Sequence, residues 1–364
     1  MNTSAGKTAL ITGASSGIGL ELAKLFAKDG YNLVLVARSD DKLQQLANRF
    51  NDDYGIETTV IGKDLSEEDA AQDVYNQVRE KGLTINVLVN DAGVGAYGKF
   101  ANETEWEREK ALIHLNVLAT TQMTKLFLKE MVERNEGKIL NLASLVSVTP
   151  FPLMAVYAAT KAYVYNFTQS LINELKDTKV TVTALLPNAT NTDFFNKAGA
   201  TNIRATDQVD DPAMVAKDGY KALMAGESKV VPGGLVNKMY EVMAYVAPQE
   251  AVAAMMRYNN EPKAEPKEQK KEEGSDKAAN SSALAWGLGI AAVAVAGVAL
   301  AVAYSNSSVV DKWRYKYKLG KLKWKASRGY AHASDEAVDL VSEASKAVSN
   351  GLDNLRQTVA RAVN

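Results

Sequence analysis

The sequence predicts an α/β fold in which helices cover both faces of a parallel sheet. Short apolar runs typical of buried strands alternate with helical patterns over the first 250 residues, and the first strand leads through a glycine-rich turn into a helix. Strands that alternate with helices pair in parallel through right-handed crossovers. The prediction is therefore a doubly wound parallel sheet, the Rossmann fold, with a C-terminal helical extension, and ligands bind such sheets beyond the carboxyl ends of the strands.

The elements are predicted in chain order from these patterns. Strands are expected at 8–11, 32–37, 58–61, 87–89, 138–142 and 180–186. Helices are expected at 20–28, 40–50 with Asp40 as its cap, from Ser66 onward, from about Glu103 through His114, and at 117–134 and 155–176. Acids follow Ser66 at once, where the helix dipole favours negative charge.

The turn at 12–19 reads TGASSGIG and spaces its glycines as G-x3-G-x-G. Glycines let the backbone approach a diphosphate, and a helix N-terminus offers free N–H groups and a positive dipole end. The alternative is a tight turn that binds no ligand, and the motifs later in the chain make this alternative less favoured. The predicted dinucleotide-binding residues here are Gly13, Ser15, Ser16, Gly17, Ile18 and Gly19.

Arg38 stands at the end of the second predicted strand, 19 residues after Gly19. An acid at this place holds the 2′-hydroxyl of NAD, whereas an arginine accepts the 2′-phosphate of NADP. Arg38 therefore favours NADP(H) over NAD(H), although Asp40 and Asp41 follow closely. A solvated charge at a strand end is the alternative.

Polar and small residues end the third and fourth predicted strands. Asp64 and Leu65 follow the third strand, and NDAG at 90–93 follows the fourth. Small residues let a flat cofactor pass close to the backbone, and Asn and Asp also favour turns, which leaves a structural role open. The predicted cofactor contacts here are Asp64, Leu65, Asn90, Ala92 and Gly93.

Ser144, Tyr157 and Lys161 are the candidate catalytic groups. Ser144 follows the fifth strand, and Tyr157 and Lys161 lie four residues apart on one face of the next helix. A tyrosine pKa of about 10 is too high for acid–base work near neutrality, and a lysine cation one turn away is expected to lower it. Together these groups could protonate a carbonyl oxygen as hydride reaches the carbon.

These motifs, in this order, resemble the short-chain dehydrogenase/reductase family over about residues 5–250. The matching segments are TGASSGIG at 12–19, DL at 64–65, NDAG at 90–93, Asn116 in HLNVLA, Ser144 in NLASLVS and YAATK at 157–161. The resemblance implies that Tyr157 is the acid–base and that Lys161 binds ribose and lowers its pKa. It implies that Ser144 orients the substrate oxygen and that Asn116 supports a proton-relay water; His114 is interpreted as structural.

Two residues depart from the family pattern. Asp91 stands where the family usually has a second Asn, and Asn188 stands where it usually has Gly after Pro187. Asn tolerates positive φ, so we expect the turn after the sixth strand to be kept. The resemblance implies that Pro187, Thr190 and Thr192 contact the nicotinamide end of the cofactor.

The substrate side is predicted to be apolar. Phe194, Phe195 and the segment to Val209 are expected to form a substrate lid, opposite a rim of Leu145, Pro150, Phe151, Pro152 and Met154. The expected function is NADP(H)-dependent interconversion of a hydrophobic ketone or aldehyde and its alcohol by a homo-oligomer. The alternative for the lid and rim residues is that they belong to the hydrophobic core. A membrane-tethered dinucleotide sensor or scaffold without turnover is the competing function.

Composition excludes several other classes. The chain has 364 residues and no cysteine, which excludes disulfides and thiolate chemistry. The two histidines lie far apart in sequence, so no metal site is expected, and a net charge of −1 gives no global field for nucleic acid. Residues 1–7 lack an apolar signal-peptide core, so the N-terminal part is expected to stay in the compartment where it is made.

The sequence beyond residue 260 changes character. We expect a catalytic domain at 1–260, a charged linker at 261–282, a transmembrane helix at 283–304, and a basic segment with an amphipathic helix at 305–364. Residues 283–304 carry no charge, and 311–328 carry eight Lys/Arg with interleaved aromatics. Membrane lipid is the predicted partner, with the catalytic domain facing the cytoplasm.

Alternatives remain for this extension. A soluble helix is the alternative for 283–304, and nucleic acid is the alternative partner of the basic segment. A single span would place that basic segment outside the cytoplasm, against the positive-inside tendency, so a re-entrant or interfacial helix is also open.

Overall fold

A computed structural model of the chain describes residues 6–246 and 249–263. Its strands are β1 Thr8–Thr12, β2 Asn32–Ala37, β3 Thr58–Gly62, β4 Ile85–Asn90, β5 Gly137–Leu142, β6 Val180–Leu185 and β7 Lys229–Val230. Within the described residues they form one seven-stranded parallel sheet in the order β3-β2-β1-β4-β5-β6-β7. The predicted doubly wound parallel sheet is confirmed.

Helices between the strands cover both faces of the sheet, and two more follow the last strand in the described part of the chain. They are α1 Gly17–Lys28, α2 Asp40–Tyr54, α3 Ala70–Glu80, α4 Trp106–Ile113, α5 Thr120–Glu133, α6 Ala155–Glu174, α7 Phe194–Ala198, α8 Pro212–Ala225, α9 Leu235–Val246 and α10 Gln249–Asn260. A π-helix at His114–Ala119 and 3₁₀-helices at Leu145–Val148 and Arg204–Thr206 complete the described elements.

The core lies in two layers, one on each face of the sheet. Phe26 of α1, Leu43 of α2 and Val215 of α8 are fully buried on one face. Val74 of α3 and Phe127 of α5 are buried on the other. Because the central strands are covered on both faces, they need continuous apolar runs, which is the pattern that the sequence shows.

Register brings the carboxyl ends of the central strands together. Thr12 of β1 is paired with Asn90 of β4, and Asn90 with Asn141 of β5. The chain reverses its direction of winding between β1 and β4, which is the switch point where such sheets bind ligands. The loops that leave these strands therefore meet at one edge.

One predicted helix start and one predicted helix cap are wrong. α3 begins at Ala70 instead of Ser66, because the Ser66 amide and hydroxyl both donate to Asp64 Oδ1 and form a turn. Asp69 then takes a left-handed φ of 61° immediately before the helix. The cap of α2 is Ser39, and Asp40 is the first helical residue.

The helices predicted from Glu103 and at 117–134 also differ from the structure. α4 begins at Trp106, and the π-helix at His114–Ala119 joins it without a break to α5. A π-helix has a longer repeat than an α-helix, so a 3.6-residue pattern does not detect it.

Residues 6–238 and 252–263 form one compact unit, and residues 239–246 and 249–251 belong to a second. Within the second unit, Gln249 Nε2 donates to the Ala244 carbonyl at 3.1 Å. In the described ranges, no helix combines the length and apolar character that crossing a bilayer requires. The predicted linker beyond residue 263, the span at 283–304 and the tail at 305–364 lie outside the described residues, and these domain boundaries stay predictions.

Candidate active site

The glycine-rich turn lies against the loop that follows β4. Gly13 and Gly17 have φ of 72° and 60°, which side-chain-bearing residues rarely adopt. A Cβ built on Gly13 would lie 2.8 Å from Asp91 Oδ2, and one on Gly19 would lie 2.5 Å from that oxygen and 2.7 Å from the Gly13 carbonyl. The turn therefore has room for glycine at these positions and for no larger residue without displacement.

The N-terminus of α1 is open to an anion. Ser16 is its N-cap and makes no capping hydrogen bond through its side chain, and Ser15 is half-buried beside it. Ile18 is instead buried in the core. The Gly19 amide is bound by the Asp91 carboxylate, but the helix start before it has no cap from the Ser16 side chain, and such helix N-termini bind phosphate groups.

Arg38 and Asp64 lie together at the edge of the turn. Arg38 follows β2, its side chain is 64% exposed, and its Nη1 is 3.8 Å from Asp64 Oδ2. Asp64 also accepts two hydrogen bonds from Ser66. Leu65, by contrast, packs its side chain into the core beneath the sheet. A long, exposed guanidinium is thus placed where it can reach a ligand.

Asn90 points into the sheet. Its Nδ2 donates to Thr124 Oγ1 at 3.0 Å and to Asn141 Oδ1 at 2.9 Å, and its side chain is buried. These hydrogen bonds support the structural alternative for Asn90, because its side chain links β4 to β5 and α5. The half-buried Ala92 and Gly93 follow it toward the cleft.

Ser144 is held by the loop after β5. It caps the 3₁₀-helix at Leu145–Val148, with Val146 N donating to its Oγ at 3.4 Å, and its own amide donates to Ser147 Oγ. Its Oγ lies 3.4 Å from the Pro187 carbonyl. The hydroxyl is also a hydrogen-bond partner of Tyr157.

Tyr157 and Lys161 lie one turn apart on α6. Lys161 is buried, its Nζ donates to the Leu142 carbonyl at 2.7 Å, and it lies 6.0 Å from the centre of the Tyr157 ring. Burial raises the pKa of Tyr157 to about 12, against the opposing effect of the Ser144 hydrogen bond. Burial lowers the pKa of Lys161 to about 8, against the opposing charge of Asp91.

The expected lowering of the Tyr157 pKa is therefore wrong for this structure. Desolvation disfavours a phenolate, and the direct partner of the Lys161 ammonium is a carbonyl oxygen rather than the phenol. The spacing of the two residues was predicted correctly from sequence, but the burial that dominates the pKa was not.

Asn116 lies within the π-helix, and its side chain forms hydrogen bonds with the loop after β4. Its Oδ1 accepts from Val94 N at 3.0 Å, and its Nδ2 donates to Val94 O at 3.0 Å and to Thr160 Oγ1 at 3.1 Å. A Cβ built on Gly93 would lie 3.3 Å from both Asn116 Oδ1 and Lys161 Nζ. Asn116, Gly93 and Lys161 therefore meet at one point of the cleft.

The loop after β6 lies against the glycine turn. Thr190 is buried with its Oγ1 donating to the Asn188 carbonyl, and Thr192 lies with its Cγ2 3.0 Å from a Cβ built on Gly17. Pro187 is buried, and its carbonyl accepts a hydrogen bond from the Leu145 amide. This loop thus reaches across the sheet edge to the glycine turn.

The turn after Pro187 is kept for a reason that differs from the expected one. Asn188 is absent from the residues with positive φ in the described part of the chain. Its Nδ2 instead donates to Asn237 Oδ1 at 3.0 Å, and Asn237 Nδ2 donates to Asp210 Oδ2 at 2.9 Å. Sequence reasoning missed Asn237 and Asp210, and no local signal in the chain marks them.

Sequence reasoning also missed Thr12. Its hydroxyl accepts from the amides of Asp91 and Ala92 at 3.0 and 3.1 Å and donates to the Val89 carbonyl. The threonine that precedes the first glycine was a possible signal, because a hydroxyl at the end of a central strand faces the neighbouring strand end. Thr12 sets the path of the loop that carries Asp91.

The predicted substrate side is largely apolar. The Phe194 ring lies 5.0 Å from the Tyr157 ring, and Phe194 Cζ and Met154 Cε both lie 2.8 Å from a Cβ built on Gly95. Arg108 donates to the Lys197 carbonyl at 2.7 Å, so its guanidinium is bound by the protein backbone. Of the other predicted rim and lid residues, Leu145 is buried, Val209 is exposed, and the rest are half-buried: Pro150, Phe151, Pro152 and Phe195.

Comparisons with known proteins give consistent matches. The family model described as short chain dehydrogenase matches residues 7–203. A very-long-chain 3-oxoacyl-CoA reductase of Rattus norvegicus is 38% identical over 187 residues, which make up 50% of this chain and 59% of that protein. A 17-beta-hydroxysteroid dehydrogenase type 3 of Mus musculus is 35% identical over 188 residues, 50% of this chain and 60% of that one. The match thus spans about 59% to 60% of the length of these curated relatives.

Solved structures match over nearly their whole length. A short-chain dehydrogenase from Sphingobium yanoikuyae in complex with NADPH aligns with a TM-score of 0.60 and 30% identity, and covers 74% of this chain and 99% of its own. A bulky-bulky ketone specific alcohol dehydrogenase from Comamonas testosteroni aligns with a TM-score of 0.58 and 28% identity, and covers 77% of this chain and 100% of its own.

Proposed function

This chain belongs to the short-chain dehydrogenase family of NAD(P)-dependent oxidoreductases, and from that premise we propose that it interconverts a hydrophobic ketone or aldehyde and its alcohol with NADP(H). The observation that carries the proposal is the meeting of Ser144, Tyr157 and Lys161 beside the glycine turn. Tyr157 forms a hydrogen bond with the Ser144 hydroxyl, and the Lys161 ammonium lies 6.0 Å from the centre of the Tyr157 ring. A phenol, a hydroxyl and a cation are the groups that carbonyl reduction needs.

The residues of the turn fit a nicotinamide dinucleotide. Gly13 and Gly17 take the left-handed φ values that the tight turn requires, and the start of α1, which has no side-chain cap, suits a diphosphate. Such a cofactor, when bound, supplies or accepts the hydride. We assign the diphosphate to the 13–19 turn, the ribose to Tyr157 and Lys161, and the nicotinamide end to Pro187, Thr190 and Thr192. Asp64 would border the adenosine, and Ala92 and Gly93 would border the part of the cofactor near Lys161, with Asn90 and Leu65 supporting them from beneath.

Arg38 supports a preference for NADP(H) over NAD(H). Its exposed guanidinium extends from the end of β2, and within the described residues its ionic contact is a loose one to Asp64 at 3.8 Å. An exposed pair of this kind is weak, so a 2′-phosphate could displace Asp64. An arginine at this position accepts the phosphate that distinguishes NADP from NAD.

Tyr157 is placed to act as the acid in carbonyl reduction. With a pKa of about 12 it carries its proton at neutral pH. It can donate that proton to a carbonyl oxygen that the Ser144 hydroxyl holds beside it, and the Lys161 cation then stabilises the phenolate. Asn116 fixes the Val94 peptide next to Lys161, which supports a role in relaying protons to this cluster.

An apolar substrate is supported by the lining and by the relatives. Phe194 and Met154 approach Tyr157 and Gly95, and Arg108 is bound to the backbone and offers no clamp for a carboxylate. The relatives are named for very-long-chain 3-oxoacyl-CoA, for 17-beta-hydroxysteroids and for bulky-bulky ketones. We infer a ketone or aldehyde on a large apolar skeleton.

Assembly and location are part of the same proposal. Leu118 and Tyr163 are 50% and 41% exposed, and the Tyr163 hydroxyl lies 3.1 Å from Thr121 Oγ1 on the adjoining helix. Apolar side chains exposed on neighbouring helices support a homo-oligomer. Attachment to membrane lipid through residues 283–304, with the catalytic domain facing the cytoplasm, follows from the sequence of that segment.

The test is NADPH oxidation by the full-length protein with a panel of ketones and aldehydes of increasing apolar size, with NADH in parallel. We expect turnover with NADPH that increases with apolar size. Preference for small charged keto acids would contradict the substrate class. Tight NADPH binding with no turnover on any substrate would favour the dinucleotide sensor instead.

A further inference from the structure

Lys161 is a buried cation whose direct partner is neutral. Its side chain is 4% exposed, and its Nζ donates to the Leu142 carbonyl at 2.7 Å. An ammonium has three donors and loses its proton when buried far from negative charge. Burial lowers the pKa of Lys161 to about 8, and the negative charge that opposes this effect is that of Asp91.

Asp91 is held firmly beneath the glycine turn. Its amide donates to Thr12 Oγ1 at 3.0 Å, and its carboxylate accepts a hydrogen bond from the Gly19 amide. The space that a Cβ on Gly13 or Gly19 would fill is taken by Asp91 Oδ2, at 2.8 and 2.5 Å. Its Oδ1 is buried and has no hydrogen-bond partner among the described residues. This carboxylate is therefore packed against the turn, with the Gly19 amide beside it.

The loop that carries Asp91 also reaches Lys161. Gly93, two residues further along, lies beside Nζ, since a Cβ built there would be 3.3 Å away. In the described part of the chain, the ionisable groups that act on Lys161 are Asp91 from this loop and Tyr157 from its own helix. The backbone amide of Gly19 is the further polar group that acts on Asp91.

We propose that Asp91 is a positioning residue that keeps Lys161 in its ammonium form beneath the cofactor cleft. The inference rests on the proposed role of Lys161 in the reaction. An asparagine, which the family usually carries here, has the same shape and can still accept from the Gly19 amide, but it lacks the charge. The departure of this chain from the family pattern therefore extends the pH range in which the lysine works.

The direction of the effect follows from the two groups. Burial raises the pKa of Asp91 to about 7, so its charge is present at the pH where Lys161 begins to lose its proton. The lysine cation is lost as pH rises through its pKa. Without the Asp91 charge the pKa of Lys161 falls, so the cation is lost at a lower pH.

The experiment compares the pH profiles of the full-length wild type and Asp91→Asn. We expect the alkaline decline of kcat/KM for ketone reduction to move to lower pH by about one unit in Asp91→Asn, as for loss of a nearby opposite charge. Asp53→Asn removes an exposed carboxylate from α2 and should leave the profile where it is. An identical alkaline limb in wild type and Asp91→Asn would overturn the proposal.

A second readout does not depend on turnover. NADPH affinity, followed by fluorescence across the same pH range, should decline with the Lys161 cation, and the decline should move to lower pH in Asp91→Asn. If the wild type binds NADPH but reduces no ketone, the proposed function fails while these binding profiles still decide the role of Asp91. If Asp91→Asn does not fold, Asp91→Ser supplies a smaller neutral side chain for the same comparison, with the same two outcomes.

Discussion

The rings of Tyr157 and Phe194 lie 5.0 Å apart, centre to centre, with their planes inclined at 50°. Tyr157 belongs to α6, whereas Phe194 begins α7 in the loop after β6. Phe195 supports Phe194 in turn, with the two rings 5.4 Å apart and nearly perpendicular. An aromatic side chain of the substrate side thus lies directly against the proposed acid.

Phe194→Ala should therefore widen the substrate space beside Tyr157. We expect the ratio of kcat/KM for a bulky ketone to that for a small ketone to rise roughly tenfold, the scale on which apolar pockets discriminate by size. Phe100→Ala removes a ring that is 62% exposed and belongs to none of the predicted site segments, and it is the matched control. An unchanged size preference in Phe194→Ala would show that this ring does not limit the substrate.

Gly19→Ala should weaken dinucleotide binding. The new methyl group would lie 2.5 Å from Asp91 Oδ2 and 2.7 Å from the Gly13 carbonyl, so the turn must shift. We expect NADPH affinity, measured by fluorescence titration, to fall by about tenfold or more, which corresponds to about 1.4 kcal/mol. Gly234→Ala is the control, because a Cβ there meets nothing within 4 Å. Equal affinity in both variants would argue against the turn as the binding site.

Arg38→Gln should reduce the preference for NADPH over NADH. A hydrogen bond to a charged group contributes about 1.5–3 kcal/mol, so the KM for NADPH should rise by roughly one to two orders of magnitude. The KM for NADH should change little. Arg49→Gln removes an exposed arginine from α2 that pairs with Asp53 and serves as control. Parallel losses with both cofactors would contradict a 2′-phosphate site at Arg38.

Asp91→Asn should stabilise the fold more at alkaline pH than at acidic pH. The folded-state pKa of Asp91, about 7, is above the ordinary value of 3.8, so the stability that its protonated form contributes is lost as pH rises between these values. The melting temperature of the variant should exceed that of the wild type by a few degrees at about pH 8 and match it more closely at about pH 4. A difference that does not depend on pH would contradict the raised pKa.

The strands and the glycine-rich turn could be predicted from sequence for physical reasons. Leu33, Leu35 and their neighbours in β2 are buried on both faces of the sheet, so the strand must be continuously apolar. The glycines at 13, 17 and 19 follow such a strand and precede a helix, and this order is typical of a turn that binds a dinucleotide. The spacing of Tyr157 and Lys161 likewise fixes a shared helix face.

Other features depend on contacts that lie far apart in the chain. Asn188 donates a hydrogen bond to Asn237, which is 49 residues away in the chain. No local sequence pattern could predict this hydrogen bond, and the expected positive φ was therefore predicted in its place. The later start of α3 depends on Ser66 bonding to Asp64 in preference to the helix. The pKa of Tyr157 depends on burial by packed neighbours, which spacing on one helix does not reveal.

The most direct test of the proposed reaction is the rate of ketone reduction by full-length Tyr157→Phe, measured together with NADPH affinity. The proposal predicts a fall in kcat of about 100-fold or more, the usual contribution of a general acid, while NADPH affinity falls by no more than about tenfold, the loss of one hydrogen bond to the ribose. Tyr163→Phe, which removes a hydroxyl from the same helix beside Thr121, should keep its rate. A Tyr157→Phe enzyme that turns over at the wild-type rate would show that Tyr157 is not the acid.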